Sequence, residues 1–220
     1  MRHFDEIFAI AADRKGGAEA LNAMLEGPLP PATLVKIPED RWLSTLTRCI
    51  FQAGFSWKVI EAKWDGFEAA FDGFDVGRCA FMDDEKFDAL MRDTAIVRNP
   101  IKIATVRDNA AFLLELREDG GAGKVIGGWP STDFIGLLDM LKTRGSHLGG
   151  TSAQYAMRFM GRDSFMLTQD VTARLVAEGV IDKPATSKTA RRAVQAAFNT
   201  WMEQSGRSLS EISRVLAMSV

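Results

Sequence analysis

Apolar residues recur along this chain at intervals of three and four, and no stretch alternates convincingly at intervals of two. The first spacing lines one stripe of a helix, whereas a half-buried strand needs the second. The chain is therefore expected to be all-α. Phe4, Ile7, Phe8 and Ile10 open an amphipathic segment, and Gly16-Gly17 breaks it before a second one over 18–25. Gly27-Pro28-Leu29-Pro30-Pro31 reads as a loop. Pro38, Glu39 and Asp40 then suit the first turn of a helix, where proline needs no donor and acids meet the positive end of the dipole. Helical spacing continues from Trp42 to Phe51, and Ser56 is placed to cap a helix over 57–71. Further helices are expected over 83–93, 101–118, 134–143, 148–160, 168–178, 187–204 and 208–218. In the segment over 101–118, Ile103, Val106, Ala110, Leu113 and Leu114 share a face.

A chain of 220 residues can bury a substantial core, as one unit over 1–220 with room for two lobes around a cleft. No apolar run reaches membrane-spanning length, and the first thirteen residues lack the basic-then-apolar plan of a signal peptide. Cytoplasmic residence and no membrane association are the expectation. Two cysteines and two histidines show no metal-ligand spacing, so neither a metal nor a cofactor is expected. The net charge of −2 does not advertise nucleic acid, but a local basic stripe and helix N-termini can hold phosphates on a near-neutral protein.

Two stretches say more. One is Leu46-Thr47-Arg48-Cys49-Ile50-Phe51-Gln52-Ala53-Gly54-Phe55-Ser56-Trp57, supported by Ala95-Ile96-Val97-Arg98-Asn99-Pro100-Ile101-Lys102-Ile103 and Asn109-Ala110. The other is Leu148-Gly149-Gly150-Thr151-Ser152-Ala153-Gln154-Tyr155-Ala156, followed by Gly161-Arg162-Asp163-Ser164-Phe165-Met166-Leu167-Thr168-Gln169-Asp170-Val171. Over about residues 40–180 the chain resembles the 3-methyladenine DNA glycosylase I family, and the second stretch looks like the helix-hairpin-helix and trailing acid of the wider glycosylase superfamily. That resemblance implies a helix-hairpin-helix bundle with its hairpin at about 143–160. It implies a monofunctional glycosylase that hydrolyses the N-glycosidic bond of alkylated purines such as 3-methyladenine. Its partner would be double-stranded DNA with a damaged base, and the protein would act as a monomer.

The residues fit that chemistry in stated ways. A glycosylase takes its base out of the stack and holds it on an aromatic face. Trp57, just past a Gly-Ser break, suits such a face or equally the core. Gln52 has a donor and an acceptor to read a base edge, and Phe55 and Cys49 complete the expected substrate contacts. Gly149 and Gly150 let backbone N–H groups approach a phosphate, with Thr151 and Ser152 beginning the helix behind them. Arg98, Lys102 and Arg144 are the expected cationic contacts to DNA. Asp170, at the next helix start, would supply the catalytic carboxylate. The family carries Glu where this chain has Cys49, and the family's zinc ligands are missing here. Cys49 itself reads as a buried structural thiol. Two other functions fit the same features: a non-catalytic module that binds damaged DNA, and a helical protein-interaction scaffold.

Overall fold

The computed structural model describes residues 1–220, and all of its regular elements are helical. The chain divides into two compact units. The first comprises Met1–Leu29, Pro130–Gly136 and Gly161–Val220, and the second Pro30–Trp129 and Leu137–Met160. Helices α1 (Phe4–Lys15) and α2 (Ala18–Ala23) open the first unit. The second then takes α3 (Pro31–Leu34), α4 (Glu39–Gln52), α5 (Trp57–Ala62), α6 (Trp64–Ala70), α7 (Val76–Ala80), α8 (Asp84–Arg92), α9 (Pro100–Glu115) and α10 (Ala122–Val125). Helix α11 (Phe134–Arg144) runs on from the first unit's middle segment and leads to α12 (Gly150–Phe159). Helices α13 (Gln169–Ala177), α14 (Lys188–Ser205) and α15 (Leu209–Met218) complete the first unit. No helix is long and apolar enough to cross a membrane.

In the second unit α4 and α9 carry the core. Helix α4 buries Trp42, Leu43, Leu46, Ile50 and Phe51, and α9 buries Ile103, Val106, Ala110 and Leu113. Residues 57–71, expected as one helix, form two. The break falls at Lys63 (φ −102°, ψ 3°), and its cause is tertiary. Lys63 Nζ donates to the Thr94 carbonyl at 2.7 Å. A Cβ on Gly66 would lie 2.6 Å from the Ala95 carbonyl oxygen, so only glycine lets that backbone approach. The turn in direction sends Trp64 into a stack with Phe67 and Phe74, at centroid distances of 5.1 and 5.6 Å.

Phe74 reaches that stack from a costly backbone. Asp72 and Phe74 hold positive φ of 54° and 61° on either side of Gly73, a region that L-residues avoid. Complete burial of the Phe74 ring offsets the strain. Arg41 anchors the same turn. Its Nη2 donates to the Gly73 carbonyl at 2.8 Å, while Nη1 and Nη2 reach the two Glu68 oxygens at 2.9 and 3.0 Å. Ser44 Oγ and Trp64 Nε1 also donate to Glu68, at 2.8 and 3.2 Å. Burial raises the Glu68 carboxyl, but these hydrogen bonds more than offset it and hold the group below its ordinary value.

The connection between α11 and α12 is short, residues 145–149. Asn109 of α9, fully buried, pins it with both ends of its amide: Nδ2 donates to the Ser146 carbonyl at 3.0 Å, and Oδ1 accepts from the Ser146 N–H at 2.8 Å. The two glycines that follow differ. Gly150 has φ +59°, whereas Gly149 is extended and an added Cβ would meet only Lys142 Cγ at 3.7 Å. Gly150→Ala is therefore expected to cost about 1 kcal/mol, a fall of about 2–4 °C in Tm. Gly149→Ala should leave Tm unchanged. Thermal denaturation of both variants checks this, and a larger loss at position 149 would contradict it.

In the first unit α14 and α15 pack with α1 and α13. The apolar face of α14 centres on Val194, Ala197, Phe198 and Trp201, leaving Ala196 exposed. The larger side chains take the core because they remove more apolar area from water. Phe198 stacks on Phe165 at 4.3 Å, and Phe165 meets Phe134 edge-on at 5.0 Å.

Candidate functional site

A cavity of about 230 Å³ opens in the second unit between the C-terminal end of α4 and the first turns of α12. From the α4 side it is walled by Cys49, Gln52, Ala53 and Gly54, with Trp57 at the start of α5. From α12 come Thr151, Ser152 and Tyr155. A neighbouring cavity of about 430 Å³ shares Gln52 and Trp57 and adds Thr45, Arg48, Glu61 and Phe159.

The local sequence explains how these groups converge. Helix α4 ends where Ala53 turns extended and Gly54 takes φ +75°. Ser56 is the N-cap of α5, as its position suggested, but its side chain makes no capping bond. Lys102 of α9 closes the end of α4 by donating from Nζ to the carbonyls of Phe51 and Ala53 at 3.1 and 2.5 Å. Partial burial lowers the pKa of its ammonium. The same ammonium lies 4.7 Å from the centroid of the exposed Phe55 ring. Lys102 thus braces the loop that carries Phe55.

Trp57 is 42% exposed, so it is not a core residue. Its indole meets Tyr155 edge-on at 5.0 Å and Phe159 at 6.1 Å. This leaves an amphipathic aromatic surface beside a polar cavity, an arrangement suited to a flat heteroaromatic ring. Cys49 is buried, and burial pushes its thiol up to about 12. It stays a neutral S–H at physiological pH and is no nucleophile. Gln52 is almost wholly buried. Its Nε2 donates to Glu61 Oε1 at 2.8 Å, and its Oε1 has no partner.

Among the residues singled out in the sequence, Trp57, Gln52 and Cys49 meet at the first cavity, while Phe55 stands exposed on the adjoining loop. Thr151 and Ser152, expected at a phosphate, form part of the cavity wall. Gly149 and Gly150 lead into them, and no side chain caps that end of α12. Arg98 is exposed. Arg144 pairs with Glu115 at 3.4 Å and lies over the Phe112 ring at 5.4 Å. Asp170 lies in the first unit, exposed in the first turn of α13, which Thr168 caps by accepting from the Val171 N–H at 3.3 Å. Sequence reasoning missed Glu61 and Tyr155. Glu61 lies four residues after Trp57, one turn along the same helical face, a spacing that could have flagged it.

Comparison with known proteins bears on this site. Residues 36–126 match the methyladenine glycosylase family model. Among solved structures, the chain is similar to a 3-methyladenine DNA glycosylase I at 22% identity, covering 66% of this chain and 86% of that one with a TM-score of 0.48. It is also similar to the 3-methyladenine DNA glycosylase I from Staphylococcus aureus at 20% identity, covering 70% and 91% with a TM-score of 0.49. The family match spans all of α4 to α9, including Cys49, Gln52, Phe55 and Trp57. Over residues 36–126, this chain is similar to the methyladenine glycosylase family.

Proposed function

We propose that the protein is a monofunctional DNA glycosylase that releases alkylated purines such as 3-methyladenine from double-stranded DNA in base-excision repair, acting as a cytoplasmic monomer. The observation that carries this reading is the cavity at Trp57. An exposed indole and a buried amide from the segment that matches the family meet there with two small hydroxyl side chains of α12, Thr151 and Ser152. The damaged base would leave the helix stack and lie against Trp57. An alkylated purine is cationic, so the ring face attracts it beyond its apolar area. The hairpin before α12 would hold the backbone phosphates through N–H groups and the helix dipole, without reading sequence. Arg98 and Arg144 would add cationic contacts.

Cleavage builds positive charge on the deoxyribose, and a carboxylate nearby stabilises it and orients the attacking water. We assign this role to Asp170 on chain order, hairpin then acid, and on its exposed place in the first turn of α13. Strand cleavage would need an amine in the helix after the hairpin. The corresponding residues, Ser152, Ala153 and Gln154, have none and are buried. The product would be an intact strand with an abasic site.

Trp57→Ala tests the pocket. Stacking contributes about 1–3 kcal/mol per base, so affinity for a lesion-bearing duplex should fall about tenfold or more while affinity for undamaged duplex stays the same. Because Trp57 is half-exposed, the variant should remain folded. Fluorescence anisotropy with matched duplexes reads both affinities, and an equal loss on the two duplexes would remove Trp57 from the base site.

A further inference from the structure

The Gln52 amide is held in one orientation by a single neighbour. Its Nε2 donates to Glu61 Oε1 at 2.8 Å. Were the amide turned over, its carbonyl oxygen would face that carboxylate, two acceptors with no proton between them. Glu61 is itself oriented, since its other oxygen lies 3.7 Å from Arg48 Nη1. The Arg48 guanidinium rests in turn on the Trp64 ring, 4.4 Å from its centroid. Glu61 is also the sole carboxylate among the residues that wall the two cavities. The free end of the amide, Oε1, is buried without a partner in a side chain that is 3% exposed and forms part of both cavity walls. Leaving such an acceptor unpaired is unfavourable, and a ligand that brings a donor relieves it.

We infer that Glu61 is a positioning residue that sets the hydrogen-bond polarity of the base pocket: by locking Gln52 it leaves an acceptor for the bound base, which favours a purine with an exocyclic 6-amino group over one with a 6-carbonyl. This rests on the reading of the cavity as a base pocket. Glu61 acts only through Gln52. A site with a fixed acceptor rejects a carbonyl edge because two acceptors then oppose each other.

Two variants separate this role from a structural one. Glu61→Lys places a donor where the acceptor was, which draws Gln52 Oε1 outward and turns Nε2 toward the base. Glu61→Gln can satisfy either orientation and releases the lock. The Glu61 side chain is half-exposed on α5, so both chains should fold, as circular dichroism would verify. Calorimetry with free 3-methyladenine and 3-methylguanine gives the preference of each protein. The wild type should favour the 6-amino base by at least about tenfold, the scale of one mismatched buried hydrogen bond. That ratio should shrink to a few-fold in Glu61→Gln and invert in Glu61→Lys. The Gln52 side-chain amide resonances should move in both variants, a change independent of ligand. Binding with an unchanged ratio in both variants would overturn the role of Glu61 alone. A wild-type protein that binds neither base would overturn the pocket reading and this inference with it.

Discussion

Asp170→Asn is expected to cut base release about 10³-fold while duplex affinity stays within about twofold of wild type. As the N-glycosidic bond lengthens, positive charge passes from the alkylated base to the sugar before the water arrives, and a carboxylate beside the sugar stabilises that state more than the ground state, in which the charge lies on the base. Asparagine keeps the shape but removes the charge and the proton acceptor. Binding should survive because phosphate contacts hold the duplex and do not depend on this carboxylate. Asp170 is also exposed, so its replacement should not disturb the packing of α13. Single-turnover release measured beside anisotropy separates the two effects. Undiminished turnover in the variant would eliminate Asp170 as the essential carboxylate.

The second large effect is on stability. Glu178 is buried, its side chain 1% exposed, and it ties the chain's N-terminal segment to α13. It accepts from the Arg2 backbone N–H at 2.9 Å, from Arg2 Nη1 at 2.6 Å and from Arg174 Nη1 at 3.3 Å. Arg174 also donates to Ser219 Oγ at 2.7 Å and to the Ser219 carbonyl, drawing in the C-terminal turn. Glu178→Ala leaves the Arg174 guanidinium buried with only part of its network, at a cost of about 3 kcal/mol. In a chain of this size that corresponds to a fall of about 6–12 °C in Tm. Burial alone would raise the Glu178 carboxyl, but the Arg2 and Arg174 hydrogen bonds more than offset it, so its folded pKa is depressed. The stabilisation is therefore complete above the unfolded value of about 4.3 and is lost as pH falls through the folded one. The difference in Tm between wild type and variant should hold near neutrality and narrow in acid. A gap that stayed constant to low pH would show that packing, rather than charge, was lost.

How much of this was legible in the sequence depended on whether the deciding interactions were local. Helix α9 was legible because its apolar residues repeat at helical spacing: of the five expected on one face, Ile103, Val106, Ala110 and Leu113 are buried and Leu114 is partly exposed. The division of α5 from α6 was not, because Lys63 and Gly66 are turned by the distant backbone at Thr94 and Ala95. Nor was the strained turn at Asp72 and Phe74, which exists because the Phe74 ring stacks on Trp64 and Phe71. At the site, Gln52 and Trp57 stood out through the motif around them, and the break at Gly54 that presents Trp57 is a local signal. The partners of those residues did not stand out. Tyr155 meets Trp57 only because α12 packs on α4, and the connection over 145–149 is held by Asn109 reaching across from α9. Packing between helices made those pairs, and spacing along one helix does not encode them.

Removal of alkylated bases is read out by incubating the full chain with methylated duplex DNA and identifying by mass whatever base is released, with the strand examined in parallel. Free 3-methyladenine should appear at a rate that depends on Asp170 and Trp57, beside an intact strand bearing an abasic site. Salt-sensitive binding to the duplex with no base released would contradict base removal and leave a damage-binding module in its place.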